Sequence, residues 1–442
     1  MLIVNGTLAT MDKRSRLISD GALLIEGDRI VAMGTSRELQ AQHPDEQVLD
    51  AGGRLVMPGL ICAHTHFYGA FARGMALPGE PPGDFPQILE RLWWRLDKAL
   101  DEEAVRYSAL VCLADAIRHG TTTLIDHHAS PNAIAGSLDV IAEATLQAGL
   151  RACLCYEVTD RDGDRRRRAG IAENVRFITA ARAQANPLLG ASFGLHASLT
   201  LADKTLEEAA AAAAPLEAGF HLHVAEDLAD QRDSLRRSGR PVVERLSQCG
   251  ILGEKTIAAH CVHVDDAETA LLHQTGTRVV HNPRSNMNNA VGTARVADLL
   301  GHGVRVGLGN DGFSNNMFTE MHTAYLVHKM AQGDPRAMPA DTVLRLAFAH
   351  NAEIAELFFP GPLGRLSPGA LADVILVDYD PTTPLSADNL PWHVIFGIDG
   401  TGVDTTIVGG RALMSHRELL TLDEPAITAR SREVAAGVWR RL

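Results

Sequence analysis

The segment Gly59-Leu60-Ile61-Cys62-Ala63-His64-Thr65-His66 decides how the chain reads. Small and apolar residues run straight into two histidines, the pattern of a strand that stays buried until its carboxyl end turns polar. Side chains alternate along a strand, so His64 and His66 point to the same side, close enough to chelate one ion. The same shape recurs at 120–127, 151–158, 191–198, 219–226, 256–263, 278–285 and 305–311. Helical stretches fit between these segments, and 205–218, dominated by alanine and acidic residues, has the strongest intrinsic preference for helix. Eight such units predict an α/β protein built on a distorted (β/α)8 TIM-type barrel, whose site lies at the carboxyl ends of the strands.

Outward from the barrel, 1–56 carry short alternating apolar segments with a hairpin turn at Gly27-Asp28, which predicts β-structure without helices. A matching texture returns at 371–377 and 403–408, with turn residues at Ser367-Pro368-Gly369 and Gly409-Gly410. The two chain ends are therefore expected to share a small β-sandwich. The expected division is 1–56 and 362–442 for the sandwich, the latter with a terminal helix, and 57–361 for the barrel.

The chain has 442 residues, 46% hydrophobic and 21% charged, with a formal net charge of −13. That is ample material for a large core, and the only basic run is Arg165 to Arg168, read as a solvated loop. A phosphate-backbone footprint is missing, so nucleic acid is not an expected partner. No stretch has the uninterrupted apolar length of a membrane span, and the start lacks a leader pattern, so a cytoplasmic protein is expected. The six cysteines lie mostly in apolar runs with no repeating framework, where reduced thiols act as small hydrophobes.

Nineteen histidines are many, and several fall at strand ends. The fifth segment ends His223-Val224-Ala225-Glu226, adding an imidazole with a carboxylate just beyond it. His221 shares that face but lies deeper, which favours His223 as the ligand and His221 as packing behind it. The sixth ends His260-Cys261-Val262-His263 and the eighth Gly309-Asn310-Asp311-Gly312. Each alone has a bland explanation, an Asp before Gly being an ordinary turn residue. Together they bring imidazoles and carboxylates to one barrel mouth.

These segments, with Gly120-Thr121-Thr122-Thr123, His281-Asn282-Pro283-Arg284-Ser285-Asn286 and the return Leu363-Gly364-Arg365-Leu366, occur in an order that resembles the amidohydrolase superfamily. The resemblance covers nearly the whole chain. It is to the aminohydrolase branch that includes cytosine, guanine and S-adenosylhomocysteine deaminases and chlorohydrolases. Asp126-His127-His128-Ala129-Ser130-Pro131 and Leu92-Trp93-Trp94-Arg95-Leu96 look most like its SsnA-type aminohydrolases.

The resemblance implies one divalent ion, zinc by default and iron as the rival, held by His64, His66, His223 and Asp311. The fourth segment has no lysine to bridge a second ion. It further implies that Asp311 takes a proton from a water acidified by the ion, that Glu226, ionised or sharing a proton, passes one to a ring nitrogen, and that His260 holds the developing oxyanion. The outcome is hydrolytic deamination of a small nitrogen heterocycle: a purine, pterin, pyrimidine or triazine. Ring-amide hydrolysis or halide displacement on the same site, and a catalytically silent binding scaffold, are the alternatives.

His196 and Asn286 match positions that face substrate in relatives, with loop capping the alternative for Asn286. At most one of His127 and His128 reaches the pocket, since neighbours on a strand face opposite ways; His128 is carried as the candidate. Arg73 and the loop to Glu90 are expected to form part of a lid, and Trp93 and Trp94 to pack their helix. Asn310, Asn282 and His350-Asn351 depart from the commonest family pattern and leave the ligand set intact. A homo-oligomer is expected by the same resemblance.

Overall fold

The computed structural model describes residues 1–77 and 79–442. Eight parallel strands surround its centre: β1 (Leu60–Thr65), β2 (Thr121–Asp126), β3 (Arg151–Leu154), β4 (Phe193–Ala197), β5 (Phe220–Val224), β6 (Ile257–His260), β7 (Arg278–His281) and β8 (Val306–Leu308). All eight fall inside the segments read from the sequence. Nearly every residue of these strands is buried, as expected where helices cover one face and the barrel interior the other.

The distortion has a specific form. The strand Leu189–Ala191 continues the ladder of β1, β2 and β3, whereas β4 begins two residues later and pairs with β5. Two parallel sheets result, joined by single bridges between Val158 and Leu195 and between Thr65 and Asp311. Each seam closes on a glycine. A Cβ on Gly194 would sit 2.3 Å from the carbonyl oxygen of Tyr156, and one on Gly309 2.7 Å from that of His64. At the second seam Asn310 and Asp311 both donate their backbone N–H to His64 O, at 3.0 and 3.1 Å.

A nine-stranded sheet of the sandwich takes strands from both ends of the chain. Leu55–Pro58, which immediately precedes the barrel, pairs with Leu2–Ala9 on one side and Val374–Val377 on the other. Ile3, Leu8, Leu23, Ile25, Val56, Val374 and Ile407 form its own core, each worth about 1.5–3 kcal/mol when fully buried.

Two expectations are corrected here. The N-terminal part contains a helix, Ser36–Gln42, started by a capping box in which Thr35 and Glu38 exchange side-chain and backbone hydrogen bonds. The arginine run is also no loop: it lies in the first turns of the helix Asp164–Gln184, with Arg167 buried between Asp164 and Glu208. Arginine propagates a helix well, and the acids beside Arg167 let that one side chain leave solvent while Arg165 and Arg168 stay exposed.

The terminal helix Glu424–Trp439 lies against the barrel helix Glu102–Arg118 rather than on the sandwich. Trp439 donates its indole N–H to Phe71 O at 2.8 Å, and Arg441 reaches Ala99 O at 2.8 Å. Both contacts brace segments that flank the barrel mouth. Among the described residues no helix is long and apolar enough to cross a membrane.

Candidate active site

Backbone carbonyls settle which nitrogen each histidine presents. His66 Nδ1 faces His127 O at 2.6 Å, and His223 Nδ1 faces His196 O at 2.9 Å. A carbonyl only accepts, so both Nδ1 atoms carry hydrogen, and each Nε2 presents its lone pair whenever its ring is neutral. Those Nε2 atoms lie 3.1 Å apart. Asp311 Oδ1 stands 2.9 Å from His66 Nε2 and 3.4 Å from His64 Nε2. His64 Nδ1 is occupied by His221 Nε2 at 2.8 Å, so His221 lies behind its neighbour as a support.

Acceptors packed this closely repel one another unless a cation lies among them. Without an ion, His66 takes that part: burial works to lower its pKa, but the hydrogen bond and charge of Asp311 hold it up to about 9. Burial pushes His64 down to about 3 and His223 well below its usual value, leaving neutral rings as ligation requires. Ligand atoms of His64, His223, His260 and Asp311 all lie within 4.8 Å of one another, and His64 Nε2 and His260 Nε2 are buried without a hydrogen-bond partner. The donor set therefore fits a divalent ion of the zinc type.

Glu226 lies across the same cavity, its Oε2 3.5 Å from His260 Nε2. Burial holds its carboxyl above the ordinary range; His260 pulls down against this and the charge of Asp311 pushes up with it. His260 Nδ1 contacts Asn286 Oδ1 at 2.8 Å. Asp230 accepts from Leu199 N at 2.8 Å and Ala225 N at 2.9 Å, pinning the loop that delivers Glu226. Ala225, His260, Cys261 and Asp311 all have positive φ, between 46° and 72°. Such backbone costs about 1–3 kcal/mol per residue and persists where surrounding contacts hold it.

The cavity wall brings together His66, His223, Glu226, Asp311 and His196. His128 and Asn286 are not among its lining residues. His128 Nε2 meets Ser130 Oγ at 2.9 Å, and its ring lies behind Tyr68 and Tyr156, while Asn286 is turned toward His260. His127 also faces inward to the protein, its Nε2 on Leu195 O and His221 O.

Trp93 and Trp94 pack against the core as expected, and both also line the cavity with Tyr68, Phe85 and Leu89. Of the stretch expected as a lid, Pro78 lies outside the described residues. The wall also holds Asp97 and Glu157, unassigned from sequence. Arg161 pairs with Asp97, lies 3.5 Å from Glu157 and stacks 5.2 Å from the Trp94 ring centre. Burial notwithstanding, His196, His127 and Arg161 hold the Glu157 carboxyl well below its usual range. Glu157 lies near the end of the third candidate segment, a position that marked it; Trp93 and Trp94 carried the resemblance but, like Asp97, gave no sign of facing a cavity beyond helical spacing.

A parallel barrel carrying a His, His, His, Asp cluster at the carboxyl ends of its strands is the architecture of a metal-dependent barrel hydrolase. The model of the amidohydrolase family matches residues 55–413, and that of an imidazolonepropionase-like composite domain from bacteria matches 21–45. A 5-methylthioadenosine/S-adenosylhomocysteine deaminase of Syntrophobacter fumaroxidans is 34% identical, over 99% of this chain and 98% of its own. A 5'-deoxyadenosine deaminase of Methanosarcina mazei is 32% identical, over 100% and 99%. Among solved structures, an adenosine deaminase from Xanthomonas campestris with bound zinc superposes with a TM-score of 0.88 at 25% identity, over 100% of this chain and 98% of that one. The chain belongs to the amidohydrolase family.

Proposed function

We propose that this chain is a zinc-dependent aminohydrolase that removes the amino group of an adenine-type nucleoside as ammonia. The observation that carries the reading is the convergence of His66 Nε2, His223 Nε2 and the Asp311 carboxylate at one point, with Glu226 lining the same cavity and His260 Nε2 3.5 Å from it. His64, His66, His223 and Asp311 would hold the ion. His66 is preferred to His260 because its Nε2 lies 2.9 Å from Asp311 and 3.1 Å from His223, while His260 Nε2 looks toward Glu226. The similar adenosine deaminase structure, which binds zinc, supports that choice of metal. When bound, such an ion supplies Lewis acidity, lowering the pKa of a water it holds toward about 7.

The chain's own groups then manage protons. Glu226, whose carboxyl burial raises to about 7 so that it can hold a proton near neutral pH, gives that proton to the ring nitrogen next to the amino-bearing carbon, making that carbon electrophilic. Asp311 takes one proton from the attacking water. His260 steadies the oxygen on which charge develops. Asp311 passes its proton to the amino nitrogen, the carbon–nitrogen bond breaks, and Glu226 recovers the remaining hydroxyl proton as the carbonyl forms. Water and aminoheterocycle thus become oxoheterocycle and ammonia, with both carboxyl groups restored. Trp93, Trp94, Phe85 and Tyr68 offer flat apolar surface to a planar ring, and Asp97, Glu157 and His196 offer acceptors and donors to its polar substituent.

The nucleoside class follows the two relatives, named as deaminases of adenosine derivatives, whose similarity spans 99% and 100% of this chain. Metal analysis of purified protein, coupled to ammonia release from adenosine, 5'-deoxyadenosine, S-adenosylhomocysteine and a triazine, tests it. About one ion per chain, by the single four-ligand site, and ammonia from the nucleosides are expected. Metal-loaded protein that releases no ammonia from any of them, or releases it from the triazine alone, overturns the nucleoside reading.

A further inference from the structure

The short helix Pro283–Asn288, with Asn289 at its C-cap, touches Asp311, His260 and Glu226, the three groups assigned to the chemistry. Ser285 Oγ donates to Asp311 Oδ2, Asn286 Oδ1 meets His260 Nδ1 at 2.8 Å, and Asn289 Nδ2 donates to Glu226 Oε1 at 3.2 Å. Asn289 also donates to Ser285 Oγ at 3.4 Å and lines the cavity. One turn of helix separates Ser285 from Asn289, so their side chains stack on one face and together bridge the two carboxylates.

Donor and acceptor rules make this chain directional. The hydroxyl proton of Ser285 goes to a carboxylate that can only accept, so its lone pair must take the second amide hydrogen of Asn289. The opposite amide orientation would set Oδ1 of Asn289 against both Glu226 and Ser285 oxygens. Oε1 of Glu226 is therefore held as an acceptor, and Oε2, 3.5 Å from His260 Nε2, is the oxygen left to carry a proton.

We propose that Asn289 is a positioning residue for the reaction, fixing Glu226 so that the proton resides on Oε2, the oxygen beside His260. This deepens the deamination reading and rests on it for the catalytic consequence, but the carboxylate's orientation can be read without turnover.

The test compares wild type with Asn289→Leu, which keeps the volume and removes both donors, and Asn289→Asp, which keeps the shape and loses them. Expected are zinc content, thermal stability and KM unchanged, with kcat lowered about 10- to 100-fold, the range for removing an orienting partner. Crystal structures of the zinc-loaded variants should show the Glu226 carboxylate in more than one orientation, against one in wild type. Unchanged kcat, or a Glu226 carboxylate that keeps its single orientation in both variants, overturns the proposal. A wild type that releases no ammonia from adenine nucleosides overturns the deamination reading instead, and the crystal comparison still decides the role of Asn289.

Discussion

His66 Nε2 lies 2.9 Å from Asp311 Oδ1, so the end of the first barrel strand meets the residue beyond the last. In the ion-free protein this contact carries a proton, Asp311 holding His66 up to about 9 against the opposing pull of burial. A metal must displace that proton. Its affinity should therefore fall as pH drops below 9, by about tenfold per unit for one proton, and level off above. Competition with a chromophoric chelator between pH 6 and 10 measures this, and a flat profile would contradict it.

Glu226 and Asp311 face one cavity but differ in what they touch. Asp311 contacts two of the ligand histidines, whereas Glu226 contacts His260 and Asn289. Glu226→Gln is expected to keep its metal and lose turnover by at least about 100-fold, since an amide cannot relay the proton. Asp311→Asn should lose both metal and rate. Metal analysis beside ammonia release separates the two, and an active Glu226→Gln would remove the proposed relay.

Trp94 lines the cavity and stacks against Arg161. Aromatic stacking on a base contributes about 1–3 kcal/mol. Trp94→Leu should then raise KM by about tenfold, the lower part of that range, with kcat and metal content little changed because ground state and transition state stack alike. Steady-state kinetics with the best nucleoside checks this; an unaltered KM would place the substrate ring elsewhere.

Arg151 opens β3 and joins the barrel to the sandwich through Asp373, with contacts of 2.7 and 3.1 Å in a fully buried setting. Asp373 also accepts from Gly409 N at 2.8 Å. Arg151→Met strands that carboxylate and should cost about 3–5 kcal/mol. Denaturant unfolding would register the loss, while ammonia release by the folded fraction at low temperature stays near wild type.

Much of the candidate site was legible because its candidate ligands close strands. His64, His66, His223, His260 and Asp311 each follow an apolar run, and a parallel barrel sends every such end to one mouth. Glu157 obeyed the same rule and could have been found by it. Trp94 and Asp97 could not, since their spacing on a helix is identical whether they face a core or a cavity. The Thr35 to Glu38 capping box was present in the sequence, yet the short helix it starts was hidden by the β-rich segments around it. Arg165 and Arg168 are exposed as charge density suggests, but that density could not tell helix from loop or foresee the acids that bury Arg167.

From its residues alone the chain determined eight buried strands, the order in which they follow one another and the identity of the groups at their tips, because burial pattern and chain order are local properties. Only the tertiary structure decided that the ring is broken into two sheets whose seams close on Gly194 and Gly309, that Asn289 reaches Glu226, and that His128 turns behind the wall while Trp93 and Trp94 enter it. Those outcomes depend on close approaches between segments far apart in the chain, and no periodicity within a segment encodes where a distant backbone will come to rest.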